Sequence, residues 1–166
     1  AHALLLDGGR VEPDVSTRED DPPRAAADAF AAKLEEAGVE VDGDPSEEEA
    51  SGAVLAEVES GPVSDLVEFM MLASDNNMAE SLGRVAALEL GEEPDFDGAA
   101  AATHSALDDL GIEGVELSDN SGLSPENSIT PRALVEMVQI AGDPERPDLD
   151  ATVTGCPPPT PPGPCP

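Results

Sequence analysis

The chain has 166 residues, and 37 acidic residues against seven basic ones give it a formal net charge of -30 at pH 7. This balance excludes nucleic acid as a partner, because phosphate binding requires clustered Lys and Arg side chains. The length suffices for one domain, but three Phe residues and no Trp or Tyr leave only a thin core of Ala, Val, Leu, Ile and Met.

The acidic residues are interleaved with Ala, Val and Leu at helical spacing and do not form blocks. This arrangement favours a folded protein with a solvated acidic surface over a disordered chain. Such a surface repels itself at low ionic strength, and salt screens the repulsion. We therefore expect an acidic protein with halophilic-like behaviour.

The first part of the chain predicts one helix among short strands and loops. The helix extends from Arg24 to Ala37 and ends at Gly38. Its apolar face comprises Ala26, Phe30, Ala31 and Leu34. Short apolar or alternating runs predict three strands, at residues 3–6, 39–41 and 54–58.

The second part of the chain predicts four helices and one short strand. The first helix begins at Val63, where Ser60 or Ser64 is expected to cap it. The second helix has an apolar face made of Met78, Leu82, Val85, Ala86 and Leu90. A third helix, rich in Ala, extends from Gly98 to Leu110, and residues 115–117 form the strand. The last helix begins at Thr130-Pro131, and its expected buried face comprises Leu134, Met137, Val138 and Ala141.

The triplet Ser74-Asp75-Asn76 places a hydroxyl and a carboxamide at the break between two of these helices. Serine enzymes that acylate on a Ser-x-x-Lys nucleophile carry Ser-Asp-Asn as a second signature and Lys-Thr-Gly as a third. Taken alone, the triplet is more often a plain interhelical turn, because Ser, Asp and Asn are favoured capping residues.

The residues around the triplet favour the enzymatic interpretation. It lies in the sequence Ser74-Asp75-Asn76-Asn77-Met78-Ala79-Glu80, and Asp119-Asn120-Ser121-Gly122-Leu123-Ser124 follows later. Over about residues 1–150 the chain resembles the D-alanyl-D-alanine carboxypeptidase/endopeptidase family, the class C low-molecular-mass penicillin-binding proteins. That family has Ser-Asp-Asn-x-x-Ala-Glu followed by an Asp-Gly-Ser-Gly-Leu-Ser loop, so Asn120 stands where the family has Gly.

The resemblance implies the middle of a catalytic domain with the β-lactamase/transpeptidase-like fold, a helix-rich α+β fold whose helices flank an antiparallel sheet. It implies serine-type hydrolysis of D-Ala-D-Ala bonds in cell-wall peptides, with peptidoglycan-type peptides and β-lactams as partners and an extracytoplasmic location. Ser74 would transfer a proton between a lysine and the leaving amine. Asn76 would hydrogen-bond the substrate amide carbonyl and that lysine, and Asp75 would cap a helix.

Two signatures of the family are absent from the sequence. Phe30 stands three residues before Lys33, the sole lysine, and Val153 precedes Thr154-Gly155. The chain therefore has neither Ser-x-x-Lys nor Lys-Thr-Gly, and we expect it to be inactive alone. The alternative is a noncatalytic acidic module that binds a peptide or a partner subunit.

The remaining candidate residues give weaker signals. Glu80 suits a general base, but an exposed helix glutamate is commoner. The loop from Asp119 to Ser124 is assigned only a supporting role. His2 and His104 are isolated, and two cysteines in the proline-rich stretch at 151–166 match no metal-site spacing, so no cofactor is predicted.

The sequence predicts two regions, part of a catalytic domain at residues 1–150 and a disordered proline-rich tail at 151–166. The start lacks the basic stretch of a signal peptide, and no apolar run reaches transmembrane length.

Molar KCl is expected to raise the helix content of the chain independently of pH, because salt screens the repulsion among its acidic side chains. Far-ultraviolet circular dichroism with and without KCl measures the change. An unchanged spectrum would show that folding does not depend on this screening.

Overall fold

The computed structural model of the protein describes residues 4–12, 15–48 and 52–146. Residue contacts divide the chain into a first unit that ends at Val58 and a second that begins at Glu59. The described residues form five α-helices and two short antiparallel strands, which confirms the helix-rich α+β class. The elements are α1 (Pro22–Glu36), α2 (Val63–Ala73), α3 (Asn76–Leu90), α4 (Phe96–Asp109), β1 (Val115–Glu116), β2 (Ser128–Ile129) and α5 (Pro131–Ala141).

The first unit contains α1, whose two ends follow from local sequence. The Asp21 side chain caps the helix by accepting the backbone N–H of Arg24 at 3.2 Å, and prolines occupy the first turn. At the other end, the N–H groups of Gly38 and Val39 donate to carbonyls of the last turn. Phe30, which the helical spacing places on the apolar face, is 65% exposed.

The three strands predicted in the first unit are absent from its described residues, so this prediction is wrong there; residue 3 lies outside them. Residues 4–6 precede one turn of 3-10 helix, and residues 39–41 and 54–58 have no regular structure. A strand needs a partner for its backbone N–H and C=O groups. In the described part of this unit, the pairing that forms is a single bridge between Arg10 and Arg18.

Helices α2 and α3 are separated by Ser74 and Asp75. The predicted serine cap of α2 is wrong, because Pro62 occupies the capping position and no side chain caps the helix. The hydroxyls of Ser60 and Ser64 donate to oxygens of their next residues. None of the α2 residues is buried.

The buried face of α3 differs from the predicted apolar stripe. Glu80, Gly83 and Ala87 are buried, whereas Val85 and Leu90 are more than half exposed. This face of α3 packs on α4, whose buried residues are Gly98, Ala99, Ala100 and Ala102. Small residues on both helices allow their axes to approach closely, and the larger side chains of α3 are therefore excluded from the contact.

The hydrophobic core of the second unit lies between the end of α4, β1 and α5. Ile112, Val115 and Ala133 are buried in it. Partly buried side chains surround them, namely Leu107, Leu110, Leu117, Met137 and Ile140. In the sheet, Val115 pairs with Ile129 and Glu116 with Ser128.

Helix α5 begins as predicted, and Met137 of its predicted buried face packs on this core, but Leu134 and Val138 do not. The Thr130 side chain caps the helix by accepting the N–H of Ala133 at 3.2 Å. Ala133, Met137 and Ile140 face the core, whereas Leu134 and Val138 are 49% and 69% exposed. The predicted face and the observed face both have helical spacing, so periodicity does not decide between them. The contact with Ile112 and Val115 determines which face is buried.

Several predictions fall on residues outside the described ranges. These are His2, the proline-rich stretch at 151–166 and its two cysteines. The assignment of residues 1–150 to one catalytic domain stays a prediction. Within the described ranges, the helices are too short or too polar to cross a membrane.

The contact of Gly83 with Asn120 predicts that these two positions are coupled in a mutant series. A Cβ atom at Gly83 would lie 2.5 Å from Nδ2 of Asn120, so Gly83→Ala forces this amide to move. We expect a loss of about 1–2 kcal/mol in the free energy of unfolding, because overpacking outweighs the helix preference of Ala. In an Asn120→Gly background the same change should cost less, because only the approach to Cβ of Ala99, at 3.3 Å, remains.

Urea unfolding of the wild type, both single variants and the double variant measures these effects. Destabilisation by Gly83→Ala of similar size in both backgrounds would contradict a role for Asn120 in this contact.

Candidate active site

The loop after β1, residues 118–124, is organised around the buried carboxylate of Asp119; we call it the Asp119 loop. The two oxygens accept three successive backbone N–H groups at 2.8 to 3.0 Å, those of Gly122, Leu123 and Ser124. The Ser121 hydroxyl and the Asn127 amide also donate to this carboxylate, at 3.0 and 2.6 Å. Residues of the loop and Asn127 thus surround the carboxylate of Asp119 with hydrogen-bond donors.

A second carboxylate reaches the same loop from α3. Oε1 of Glu80 accepts the N–H groups of Asn120 and Ser121 at 3.1 and 2.9 Å. Together with Asp119, Glu80 therefore satisfies five successive backbone N–H groups, from residue 120 to residue 124. The expectation of an exposed helix glutamate is wrong, because Glu80 is only 6% exposed. The loop amides supply the hydrogen bonds that make burial of this charge possible.

The hydrogen bonds to Asp119 set its charge state. Burial raises the pKa of this carboxyl, but hydrogen bonds from Asn127, Ser124, Ser121 and Gly122 favour the ionised form. The hydrogen bonds outweigh the burial, so the pKa of Asp119 lies below its ordinary value of 3.8.

Asn120 joins the Asp119 loop to both α3 and α4. Its side chain lies against Gly83 of α3, where no Cβ occupies the space. Its Oδ1 accepts a hydrogen bond from the Thr103 hydroxyl of α4 at 2.5 Å. The residue that replaces the glycine of the resembled family is thus accommodated by a glycine on one helix and a hydroxyl on the other.

His104 also connects α4 to this region. Its Nε2 accepts the backbone N–H of Leu117 at 3.2 Å, so the imidazole holds the chain where β1 leads into the loop. In the sequence His104 is an isolated histidine, and nothing there gave a sign of this bond. Across the described ranges, His, Cys, Asp and Glu side chains form no group of three that is suited to a metal ion.

Ser74 and Asn76 lie on either side of a sharp change of direction. Ser74 ends α2 in the left-handed conformation, with φ 49° and ψ 49°, and its N–H donates to the carbonyl of Met70. Asp75 then caps α3 by accepting the N–H groups of Asn77 and Met78, at 2.9 and 3.1 Å. This confirms the capping role that was predicted for Asp75.

The side chains of Ser74 and Asn76 are available to a ligand. Both residues are exposed, and neither side chain is hydrogen-bonded to another residue in the described ranges. The left-handed conformation costs a non-glycine residue about 1–2 kcal/mol, and such strain is frequent at active sites. The catalytic roles assigned to these two residues stay predictions.

The Asp119 loop lies beside the first turns of α3. Asn76 and Glu80 are four residues apart on this helix, which places them on one face about one turn from each other. Because Glu80 holds Asn120 and Ser121, the loop is attached on the face that carries Asn76. The Ala79-Glu80 pair of the extended motif was the signal in the sequence that could have revealed this contact.

The chain matches a family model over residues 4–155, and that model describes the D-Ala-D-Ala carboxypeptidase 3 (S13) family. It is 39% identical to the carboxypeptidase DacB of Mycolicibacterium smegmatis over 154 residues, which cover 89% of this chain and 33% of that protein. It is 32% identical to the D-alanyl-D-alanine carboxypeptidase DacB of Haemophilus influenzae over 119 residues, which cover 69% of this chain and 25% of that protein.

The fold is similar to a crystal structure of penicillin binding protein 4 (dacB) from Haemophilus influenzae, complexed with a β-lactam. The TM-score is 0.66 at 30% sequence identity, and the match covers 83% of this chain and 33% of that chain. This similarity confirms the predicted transpeptidase-like fold. The chain spans between one quarter and one third of the length of these relatives.

The lowered pKa of Asp119 predicts how stability responds to acid. A carboxyl whose pKa is lower in the folded state stabilises that state above its unfolded pKa of about 3.9, and this contribution is lost as pH falls through the folded value. Asp119→Asn removes the titrating group. We therefore expect the variant to be less stable at pH 6 and to lose less further stability below about pH 4 than the wild type.

Urea unfolding at pH 6, 4 and 3 tests this expectation, with Asp109→Asn, an exposed aspartate of α4, as the control. Identical losses on acidification in the wild type and Asp119→Asn would show that the native carboxylate is not preferentially stabilised.

Proposed function

Because the chain belongs to the D-Ala-D-Ala carboxypeptidase 3 (S13) family, we propose that it forms part of the catalytic domain of a serine-type D-Ala-D-Ala carboxypeptidase or endopeptidase. The substrates would be peptides of the cell wall, and the protein would then act outside the cytoplasmic membrane. The observation that carries this proposal is the pair of polar side chains, Ser74 and Asn76, which have no hydrogen-bond partner among the described residues and lie on a strained junction between α2 and α3.

In the proposed reaction, a serine hydroxyl attacks the carbonyl carbon between two D-Ala residues. The C–N bond then breaks, the leaving amine takes up a proton, and water hydrolyses the acyl-enzyme. Ser74 would pass that proton to the amine, and Asn76 would donate a hydrogen bond to the substrate amide carbonyl. A β-lactam would acylate the attacking serine, not Ser74, because the carbonyl of the β-lactam ring takes the place of the scissile peptide carbonyl.

In this proposal, residues other than those of this sequence would supply the nucleophile. The chain contains neither Ser-x-x-Lys nor Lys-Thr-Gly, and it spans between one quarter and one third of the length of the relatives that it matches. We therefore expect residues 4–155 to supply the second signature and its supporting loop, and to be inactive without the other two signatures.

The absence of these two signatures also favours one alternative, a noncatalytic acidic module that binds a peptide or a partner subunit. The two functions differ in their dependence on Ser74. Proton transfer requires its hydroxyl, whereas a binding module has no need for a proton-transfer group.

The isolated chain is expected to form no covalent adduct with a fluorescent penicillin, because it lacks the acylated serine. Denaturing gel electrophoresis after incubation provides the measurement. A stoichiometric adduct that survives heating would overturn the assignment of the nucleophile to another segment.

The roles of Ser74 and Asn76 can be tested in a chimera in which residues 4–155 replace the matching third of the Mycolicibacterium smegmatis carboxypeptidase DacB. We expect Ser74→Ala to lower turnover of a D-Ala-D-Ala peptide at least about a hundredfold, the usual effect of losing a positioned proton-transfer group. Asn76→Ala should reduce turnover far more than thermal stability, because its carboxamide orients substrate.

Ser64→Ala, which removes an exposed hydroxyl of α2, serves as the matched control and should leave turnover near the wild-type value. If Ser74→Ala keeps nearly full turnover and loses about 1 kcal/mol of stability, Ser74 is only a capping residue of the helix junction.

A further inference from the structure

The buried carboxylate of Glu80 is unusual in its position on α3. It occupies the small-residue face, together with Gly83 and Ala87, that packs on α4. One oxygen accepts two loop amides, whereas Oε2 has no partner within the described ranges. A buried charge whose hydrogen bonding is only half complete is a costly way to stabilise a helix contact. Stability alone therefore does not account for Glu80.

The geometry around Glu80 connects the Asp119 loop to the candidate active site. Glu80 follows Asn76 by four positions of the helix, a rise of about 6 Å along the axis at 1.5 Å per residue. Asn76 is the first residue of α3, so its direction depends on how the first turn of this helix is held. The contacts of Glu80 with Asn120 and Ser121 hold the next turn, directly after the first, from the side of the loop.

The rest of the loop is stiff enough to act as a support. Asp119 accepts the amides of residues 122–124, and the Asn120 side chain is fixed between Gly83 and Thr103. The loop binds Oε1 of Glu80 through two backbone amides. Because the loop itself is fixed, these two bonds limit both the tilt and the rotation of the α3 turn that carries Glu80. Positioning of this kind matters in catalysis, because displacing a reacting group by about 1 Å can reduce the rate about a hundredfold.

We propose that Glu80 is a positioning residue, whose carboxylate fixes the first turns of α3 against the Asp119 loop and so sets the direction of Asn76 in the active site. The activity part of this inference rests on the proposed function. The structural part concerns the chain itself and can be tested without any turnover.

Amide hydrogen exchange of the complete chain in molar KCl tests the structural part. Five backbone amides report on three regions. The amides of Asn120 and Ser121 report on the loop, and those of Asn77 and Met78 report on the first turn of α3. The amide of Ala133 reports on the remote cap of α5. The variants are Glu80→Ala, Glu80→Gln, which keeps the accepting oxygen, and Glu89→Ala, which removes an exposed carboxylate of the same helix.

We expect Glu80→Ala to accelerate exchange at Asn120 and Ser121 at least about tenfold, because both amides lose their hydrogen-bond acceptor. Exchange at Asn77 and Met78 should rise at least about threefold, whereas Ala133 should keep its rate. Glu80→Gln should restore rates near those of the wild type, and Glu89→Ala should change none of them.

Two results would overturn the proposal. Faster exchange at the loop amides with unchanged rates at Asn77 and Met78 would make Glu80 a local loop contact. An equal rise at all five amides would make it a general stabilising residue. Should Glu80→Ala fail to fold, Glu80→Asp takes its place, because the shorter side chain keeps a carboxyl group that no longer reaches the loop amides. The same two exchange results would then overturn the proposal.

The activity part is tested in the chimera by a double-mutant cycle. Glu80→Ala should lower turnover roughly tenfold to a hundredfold with little change in KM, and it should have a much smaller effect in an Asn76→Ala background, since it acts through Asn76. Additive losses would contradict positioning. A chimera that is inactive with the wild-type segment would contradict the proposed function, while hydrogen exchange still decides the role of Glu80.

Discussion

The structure around the candidate site depends on two carboxylates that accept five successive backbone N–H groups. In a chain of net charge -30, Glu80 and Asp119 are the acidic residues that the described core buries. Both are retained in the interior because amides of the Asp119 loop solvate them in place of water. The two carboxylates also stabilise the loop. Its residues form no regular structure, and their backbone N–H groups find hydrogen-bond acceptors in these side chains.

Most of the other acidic residues lie at the surface, where they contribute negative charge and few stabilising contacts. The ion pairs in the described ranges are exposed, as in Arg24–Asp28, Lys33–Glu36 and Arg132–Glu136, and exposed pairs contribute little to stability. Most of the negative charge is therefore unopposed and is left to solvent and salt. Folding under these conditions depends on contacts that need no aromatic bulk, such as the Gly and Ala faces of α3 and α4.

Local signals predicted the helices well and their buried faces poorly. Capping residues and glycine stops placed α1, α3 and α5, because these signals act within a few residues of one another. The periodicity of α5 fits two stripes, and only a partner distant in sequence, the Ile112 and Val115 cluster, selects Ala133 over Leu134. The three strands predicted in the first unit failed for the same reason, because pairing depends on residues that a local pattern does not contain, whereas the strand predicted at residues 115–117 is found as β1.

The candidate site shows the same division between local and distant information. The triplet at Ser74–Asn76 and the capping role of Asp75 are readable from adjacent residues. The contacts of Glu80 with Asn120 span 40 residues, and the bond from Thr103 to Asn120 spans 17. No spacing rule connects such positions, so the extended motif alone hinted that Glu80 mattered.

The strain at Ser74 explains why these distant contacts are needed. A left-handed serine persists only where the surrounding structure holds it, since relaxation would release about 1–2 kcal/mol. Amides of Ser74 and Asp75 both donate to the carbonyl of Met70, and the Asp75 side chain fixes the start of α3. Glu80 then attaches this helix to the Asp119 loop. Each bond limits the freedom that the previous one leaves, so the loop supports a helix start whose strained neighbour, Ser74, lies six positions before Glu80.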